Sequence, residues 1–178
     1  MHLELLCTIL CGLFVAWLVW RALQRRKTRT SDCLPHELRA SRLAYAEQLF
    51  RSPGPASVSA KVDRAYRDQA GVVTLVELKT RKAGRAYLSD VIELSAQRQA
   101  LHSQTGEQVA EIGYVLVKVA GRTPVVVRRV RLLTKRELAS ILARRERLLA
   151  GAEVPNPAHS IRMCLGCAYA NECSEAYR

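Results

Sequence analysis

The stretch VVTLVELK, residues 72–79, decides the fold that we expect for this chain. Its apolar run indicates a buried central strand, and the charged residues Glu77 and Lys79 stand where that run ends. Side chains two positions apart on a strand point to the same face of the sheet. Charges at the end of a buried strand need mutual pairing or a metal ion. The stretch therefore predicts either an ion pair or a metal site.

A second carboxylate, Asp63, stands fourteen positions before Glu77. It ends the segment VSAKVD, which alternates as a strand does, although a lone aspartate beside a turn is usually just solvated. Magnesium prefers hard oxygen ligands, which Asp63 and Glu77 can supply. The metal-binding positions that we predict are Asp63, Glu77 and Leu78. Lys79 would orient a water molecule or stabilise a leaving charge. A structural ion pair between Glu77 and Lys79 is the alternative.

The patterns around this strand indicate an α/β fold, with a central mixed sheet and flanking helices. Predicted strands cover residues 57–66, 72–79, 112–119 and 125–133. Predicted helices cover residues 35–50, 90–103 and 134–150. The last helix opens on Thr134 and Glu137 at capping-box spacing. We find no internal repeat.

The first 23 residues are typical of a transmembrane anchor. Residues 5–20 contain sixteen uncharged positions, and apolar neighbours extend this run towards the roughly 20 residues that a bilayer span needs. Trp17 and Trp20 lie near one end, where such rings favour the membrane interface. A cleaved signal peptide would have positive charges before the apolar segment and small residues after it, and neither is present. The alternative is a helix buried in a core.

Basic residues crowd the segment RALQRRKTR that follows, and residues 24–32 are interpreted as a basic tether. The positive-inside rule then predicts a single-pass protein of the inner membrane with residues 33–178 in the cytoplasm. The formal net charge is +12, and Glu4 and Arg21 cancel within the first 22 residues. The whole excess therefore belongs to the later part. It indicates a polyanionic partner, either nucleic acid or an anionic membrane surface.

Four of the six cysteines lie outside the apolar segment: Cys33, Cys164, Cys167 and Cys173. The last three form a C-x2-C-x5-C pattern. In a cytoplasmic chain this tight spacing indicates a metal site rather than disulfides. Four thiolates suit either Zn²⁺ or an iron–sulfur cluster, and buried free thiols are the remaining alternative. A zinc ribbon usually joins two C-x2-C knuckles, which one distant and three clustered cysteines match poorly.

The segments VD, ending at Asp63, and VELKT, containing Glu77 and Lys79, resemble the D…(D/E)xK signature of the PD-(D/E)XK nuclease superfamily. The likeness is greatest to its RecB-like branch, in which a helix with a D-x-x-Q-L-x-x-Y pattern follows the triad. Here the helix reads DVIELSAQ, so that Glu93 replaces the Gln and Gln97 replaces the Tyr. The resemblance implies that Glu93 and Gln97, on one helical face, support the catalytic site.

The cysteine layout resembles that of RecB-like nucleases with a [4Fe–4S] cluster, which include CRISPR-associated exonucleases and the AddB nuclease domain. One cysteine, Cys33, precedes the core and three follow it. The resemblance covers roughly residues 33–178. It implies a restriction-endonuclease-like core whose two ends are joined by the cluster. These nucleases often have an upstream histidine ligand, but His36 lies too near Cys33 to be assigned.

The resemblance implies a DNA nuclease, exonuclease-like and dependent on Mg²⁺ or Mn²⁺, which acts on single strands or ends beside a separate helicase or repair partner. The apolar segment at residues 1–23, which lies outside the resemblance, would anchor this nuclease to the membrane. Its catalytic residues would be Asp63, Glu77, Lys79, Glu93 and Gln97. Its nucleic-acid-binding residues would be Arg81, Lys82, Arg85 and Arg98. Two alternatives remain: a non-catalytic nucleic-acid-binding module on a degenerate nuclease fold, and a zinc-stabilised membrane scaffold. The altered helix pattern motivates the first of them.

Overall fold

The computed structural model describes residues 34–53, 57–121, 124–156, 158 and 161–173. The chain forms two compact units, Met1–Leu138 and Ala139–Arg178. The predicted anchor at residues 1–23, the tether at residues 24–32 and Cys33 all lie outside the described residues. Among the helices in the described ranges, none is both long enough and apolar enough to span a bilayer.

The first unit is built on a mixed sheet with a crossover helix. Its elements are β1 (Arg42–Ser52), β2 (Val58–Arg67), β3 (Val73–Arg81), α1 (Leu88–Thr105), β4 (Ile112–Val119) and β5 (Val125–Arg131). The strands lie in the order β1-β2-β3-β4-β5. Only the β3–β4 pair is parallel, and α1 makes the crossover that a parallel pair needs. The predicted α/β fold with a mixed sheet is confirmed.

The segment after residue 35 differs from its prediction. Apart from a 3₁₀ turn at His36–Leu38, it forms strand β1, so the helix predicted at residues 35–50 is wrong. Its alanines, leucines, Glu and Gln favour helix, but pairing with β2 along nearly the whole strand outweighs that preference. The register shifts between Leu43 and Tyr45, and this irregularity breaks the alternation that marks a strand.

The other predicted elements are confirmed within about two residues. Strand β3 continues to Arg81, because Thr80 and Arg81 pair with Lys118 and Val119 on β4. The basic stretch KTRKAG, residues 79–84, thus begins within the sheet, and the basic loop starts only after Arg81. This extension places a third charged side chain, Arg81, in the series that begins with Glu77 and Lys79.

Helix α1 packs over β1, β2 and β3 on one face of the sheet. Its residues Leu94, Ala100 and Leu101 are fully buried there. Gly113 on β4 permits this close packing, since a β-carbon at that position would lie 3.3 Å from Leu94 Cδ1. The core thus fixes α1 against the strand that carries Glu77.

Helix α2 (Lys135–Leu149) begins in the first unit and continues into the second. The predicted capping box is confirmed: the Glu137 carboxylate accepts the Thr134 N–H at 2.7 Å, and the Glu137 N–H donates to Thr134 Oγ1 at 3.2 Å. In the second unit, Glu153 accepts hydrogen bonds from Arg144 and Arg147, which fasten the segment after α2 to that helix. A short helix, α3 (Ile161–Leu165), follows.

Candidate active site

Alternate residues of β3 meet successive turns of α1. Glu77 Oε2 accepts a hydrogen bond from Gln97 Nε2 at 2.8 Å, and Lys79 Nζ donates to Glu93 Oε2 at 2.8 Å. Steps of two along the strand match steps of about four along the helix, which runs in the opposite direction. The structure therefore brings together four of the five predicted catalytic residues through one β3–α1 contact.

Asp63 reaches the same site from β2. The pairing of β2 with β3 stops at Arg64 and Val76, one position short of Asp63 and Glu77. Beyond that point Asp63 Oδ2 accepts the backbone N–H of Leu78 at 3.1 Å. The Asp63 carboxylate thus supplies a hydrogen-bond acceptor to β3 beyond the point where the backbone pairing of β2 and β3 ends. This contact places Asp63 next to Glu77, as the sequence predicts.

Burial and charge determine the protonation of this cluster. The Glu77 side chain is only 3% exposed, and burial raises the pKa of Glu77 to about 7. Hydrogen bonds from Lys79 and Gln97 oppose that rise, while the negative charges of Asp63 and Glu93 add to it. Burial also disfavours the ammonium of Lys79, but hydrogen bonds to Glu77 and Glu93 outweigh it and raise the pKa of Lys79 above its ordinary value.

The cluster contains more negative than positive charge. Lys79 Nζ lies 2.6 Å from Glu77 Oε1 and 2.8 Å from Glu93 Oε2, so one ammonium serves two carboxylates, and Asp63 is a third. When all three carboxylates are ionised, the net charge of these four groups is negative. Such a site attracts a cation.

Gln97 carries a polar atom without a partner. Its side chain is almost completely buried, and Oε1 has no hydrogen-bond partner among the described residues. A buried amide oxygen left unpaired costs about 1–3 kcal/mol. Because the other end of the same amide binds Glu77, this oxygen lies at the edge of the candidate site. It is a hard oxygen atom beside Glu77, and it is shielded from solvent.

The donor chemistry fits Mg²⁺ or Mn²⁺, although the groups are not arranged as a finished metal site. Within the described part of the chain, no three His, Cys, Asp or Glu side chains converge closely enough to hold a metal ion. The carboxylates of Asp63 and Glu77 are the hard ligands that these ions prefer. Lys79 bridges Glu77 and Glu93, and metal binding would require that bridge to shift.

Arg81 is the third charged residue of the series and forms an ion pair. Its guanidinium makes two hydrogen bonds to the Asp90 carboxylate and lies 4.7 Å from the centre of the Tyr87 ring. Asp90 also accepts the Tyr87 N–H at 2.8 Å. Burial opposes ionisation, but these bonds lower the pKa of Asp90. Arg81 was predicted to bind nucleic acid, and here its charge is directed at Asp90.

The start of α1 also differs from its prediction. Asp90 and Glu93 have the spacing of an N-cap and N3 pair, but the N-cap residue is Tyr87 and Asp90 occupies N3. The helix begins two residues earlier than the sequence predicts, and Asp90 therefore completes the cap from N3. Glu93 is left free of capping and pairs with Lys79 instead.

The remaining basic candidates lie in two places. Lys82 and Arg85 are exposed in the loop after β3. Arg98 Nη2 lies 3.8 Å from Glu111 Oε1, and Arg98 lines a cavity of about 650 Å³ together with His102 and Lys135. The described contacts of Arg98 are thus with the segment before β4, and not with the basic loop.

Comparison with known proteins places the fold but not the activity. No protein-family model and no curated protein matches this chain. The crystal structure of SSO0001 superposes with a TM-score of 0.50 at 15% identity, covering 75% of this chain and 62% of that protein. A candidate exonuclease from Eubacterium rectale gives a TM-score of 0.44 at 12% identity, covering 76% and 54%. The chain spans less than two thirds of either protein, and the likeness to SSO0001 concerns the α/β fold alone.

The cysteine cluster is described only in part. Cys164 lies on α3 and is half-buried, whereas Cys167 and Cys173 are exposed. The Cys167 N–H donates to the Cys164 carbonyl at 3.1 Å, which closes a turn between the first two thiols. In the described ranges these three thiols do not form a group that can hold a metal ion. Because Cys33 lies outside those ranges, the four-cysteine set stays a prediction.

The raised pKa of Glu77 has a measurable consequence for the metal-free protein. The folded state binds a proton up to about pH 7, whereas the unfolded carboxyl, at its ordinary pKa of 4.5, loses that proton earlier. The contribution of Glu77 to the free energy of unfolding is therefore complete below pH 4.5 and is lost as the pH rises through 7. We expect Glu77→Gln to flatten this decline in urea unfolding of the full chain in EDTA between pH 5 and 8. Identical declines in both proteins would contradict the expectation.

Proposed function

We propose that this chain is a metal-dependent nuclease that hydrolyses phosphodiester bonds of DNA and belongs to the RecB-like PD-(D/E)XK enzymes. The observation that carries the proposal is the convergence of β2, β3 and α1 on one cluster. Its members are Asp63, Glu77, Lys79, Glu93 and Gln97. Asp63, Glu77 and Lys79 are the triad of the sequence signature, and Glu93 and Gln97 stand at two positions of the helix pattern that follows it, with other residue types. Two separate strands and a helix are needed to bring these five side chains together.

Each residue of the cluster has a role that its surroundings support. Asp63 and Glu77 would hold Mg²⁺ or Mn²⁺. The third predicted metal-binding position, Leu78, follows Glu77 on β3, and its backbone N–H donates a hydrogen bond to Asp63. A bound divalent ion would lower the pKa of a water molecule and offset the charge that develops on the phosphate. Because the pKa of Lys79 is raised, its ammonium acts as a hydrogen-bond donor to the water or the leaving oxygen rather than as a base. Glu93 and Gln97 position Lys79 and Glu77.

The excess of carboxylates argues against a purely structural ion pair. A structural pair needs one carboxylate for one ammonium. Here Glu77 is buried beside Lys79, and the more exposed Asp63 and Glu93 add negative charge that the single ammonium does not balance. The pairing leaves Gln97 Oε1 unsatisfied as well. A cluster that is costly without a ligand and suited to a cation is what a catalytic metal site requires.

One observation favours a second candidate, a non-catalytic nucleic-acid-binding module. Lys79 is engaged by two carboxylates, and one of them, Glu93, replaces the Gln of the family pattern. A permanent bridge of this kind would block metal binding. The further parts of the proposal rest on sequence patterns alone: a [4Fe–4S] cluster or Zn²⁺ at the four cysteines, and a membrane anchor at residues 1–23 with the nuclease domain in the cytoplasm.

The test is a cleavage and binding assay on the full chain, purified anaerobically in detergent. Labelled single-stranded DNA, duplex DNA and RNA are each incubated with Mn²⁺, Mg²⁺ or EDTA. We expect cleavage of DNA in the presence of metal and none in EDTA. Salt-sensitive binding of the same oligonucleotides without cleavage in either metal would overturn the nuclease and favour the binding module.

A further inference from the structure

We propose that Lys82, Arg85 and Arg128 form a clamp for the phosphate backbone of the nucleic-acid strand, on the β5 side of the candidate active site. This inference rests on the proposed function, because the clamp serves the strand that the cluster would cleave. Arg128 lies in the sequence VVVRRVR of β5, more than forty positions from the basic loop. Only the folded structure brings it to the loop after β3.

The loop is seated directly on β5. Arg128 Nε donates a hydrogen bond to the Gly84 carbonyl at 2.7 Å. A β-carbon on Gly84 would lie 2.9 Å from Val126 Cγ2, so any larger residue would push the loop away from the strand. Gly84 therefore permits a close approach that holds the backbone of the loop, from which Lys82 and Arg85 project, beside Arg128.

The strand register aligns Arg128 with the candidate active site. Glu77 pairs with Val115 on β4, and Val115 pairs with Arg128 on β5. Residues paired across a sheet point to the same face, so Arg128 emerges on the face that carries Glu77. Two strand spacings separate their Cα atoms by about 10 Å. Because α1 packs over β1, β2 and β3, Arg128 at β5 remains exposed.

The charges of the clamp are available for a ligand. Among the described residues, Lys82, Arg85 and Arg128 form no ion pair, in contrast to Arg81, which is bound to Asp90. The terminal amino groups of Arg128 have no described partner, since only its Nε is used. An exposed guanidinium fits phosphate oxygens in a bidentate manner. Three exposed cations without a described ion pair, beside a cluster suited to phosphodiester hydrolysis, indicate a strand backbone as the ligand.

The test compares Arg128→Gln with Arg131→Gln in the full chain. Arg131 lies three positions along the same strand and so faces the other side of the sheet, and both variants lose one charge. Fluorescence anisotropy of a labelled single-stranded oligonucleotide in EDTA gives the binding affinity as a function of salt concentration. We expect Arg128→Gln to weaken binding and to reduce the log–log salt slope by about 0.7, the loss of one phosphate contact, with Arg131→Gln near wild type. Gly84→Ala removes no charge, but its added methyl group would displace the loop from β5. We therefore expect it to lower the salt slope as well.

Three results would overturn the clamp: a wild type that does not bind the oligonucleotide, an unchanged slope in Arg128→Gln, or equal losses in Arg128→Gln and Arg131→Gln. Weaker binding to phosphatidylserine vesicles with unchanged oligonucleotide binding would assign these cations to a lipid surface and overturn it too. The assay in EDTA separates the two proposals. If the wild type binds through Arg128 but never cleaves with metal, the clamp stands and the nuclease falls. If the wild type cleaves DNA with metal but Arg128→Gln has an unaltered salt slope, the nuclease proposal stands and the clamp is overturned.

Discussion

Lys79→Ala is expected to reduce metal-dependent cleavage of DNA at least about 100-fold, because it removes the donor that orients the water or stabilises the leaving oxygen. The Lys79 ammonium lies between Glu77 and Glu93, and no other cation contacts these two carboxylates among the described residues. The measurement is the rate of oligonucleotide cleavage at saturating substrate and Mn²⁺. We expect the loss in kcat, with KM for the oligonucleotide close to that of the wild type.

The matched control is Lys118→Ala. Lys118 lies on β4 next to Val117, the partner of Lys79, but its side chain points to the opposite face of the sheet. This variant loses the same charge and should cleave within about threefold of the wild type. Circular dichroism should show both variants folded, since Lys79 is partly exposed and Glu77 can become neutral. Cleavage by Lys79→Ala at the rate of the control would rule out its catalytic role.

Asp90→Ala is expected to lower the free energy of unfolding by about 3–5 kcal/mol, the cost of breaking a buried ion pair by removing one partner. Asp90 is 1% exposed, and the side chain of Arg81, whose charge it neutralises, is only 20% exposed. The substitution also removes the acceptor of the Tyr87 N–H at the start of α1. Urea unfolding of the full chain followed by circular dichroism measures the change.

Glu146→Ala serves as the control for this second prediction. Glu146 forms an exposed pair with Arg145 on α2, and such pairs contribute about 0–1 kcal/mol. Replacing both Arg81 and Asp90 by apolar residues of similar size should recover part of the stability, because no buried charge is then left unpaired. An Asp90→Ala protein as stable as the control would show that the Arg81 pair contributes little. It would also return Arg81 to the candidates for binding nucleic acid.

The central part of the fold follows from local patterns in the sequence. The run VVTLV is apolar over a length that suits a strand buried on both faces, and the segment at residues 112–119 behaves in the same way. The two form the parallel pair β3 and β4 at the centre of the sheet. Asp63, Glu77 and Lys79 could be grouped in advance because a known signature connects them. Their spacing alone would also allow an ion pair.

Other features depend on partners that are distant in sequence. Strand β1 is built from residues that favour helix, and it is a strand because β2 pairs with it. In the sequence nothing distinguishes Arg81 from its basic neighbours, and only the folded structure shows that it pairs with Asp90. Arg128 became a candidate only through the register of β4 and β5 and the contact with Gly84. In each case the deciding energy term is a tertiary contact, which no window of sequence contains.

The contacts between β3 and α1 correspond to two matching series of residues in the sequence. Glu77, Lys79 and Arg81 recur at steps of two, while Gln97, Glu93 and Asp90 recur at helical spacing in the opposite order. Matching the two series predicts all three cross-contacts once the helix is known to lie antiparallel on the strand. The departures from the family pattern at positions 93 and 97 are thus compatible with the cluster, since both side chains still contact it.

The measurement that bears most directly on metal-dependent hydrolysis is the removal and return of the ion. The full-length wild type is dialysed against EDTA, and cleavage of a 5′-labelled single-stranded DNA is followed before and after Mn²⁺ is added back. We expect no product in EDTA and restored cleavage with Mn²⁺. The carboxylates around Glu77 would bind the ion, and the ion would activate the water that attacks the phosphate. Equal cleavage with and without the ion, or none in either condition, would contradict the proposed site.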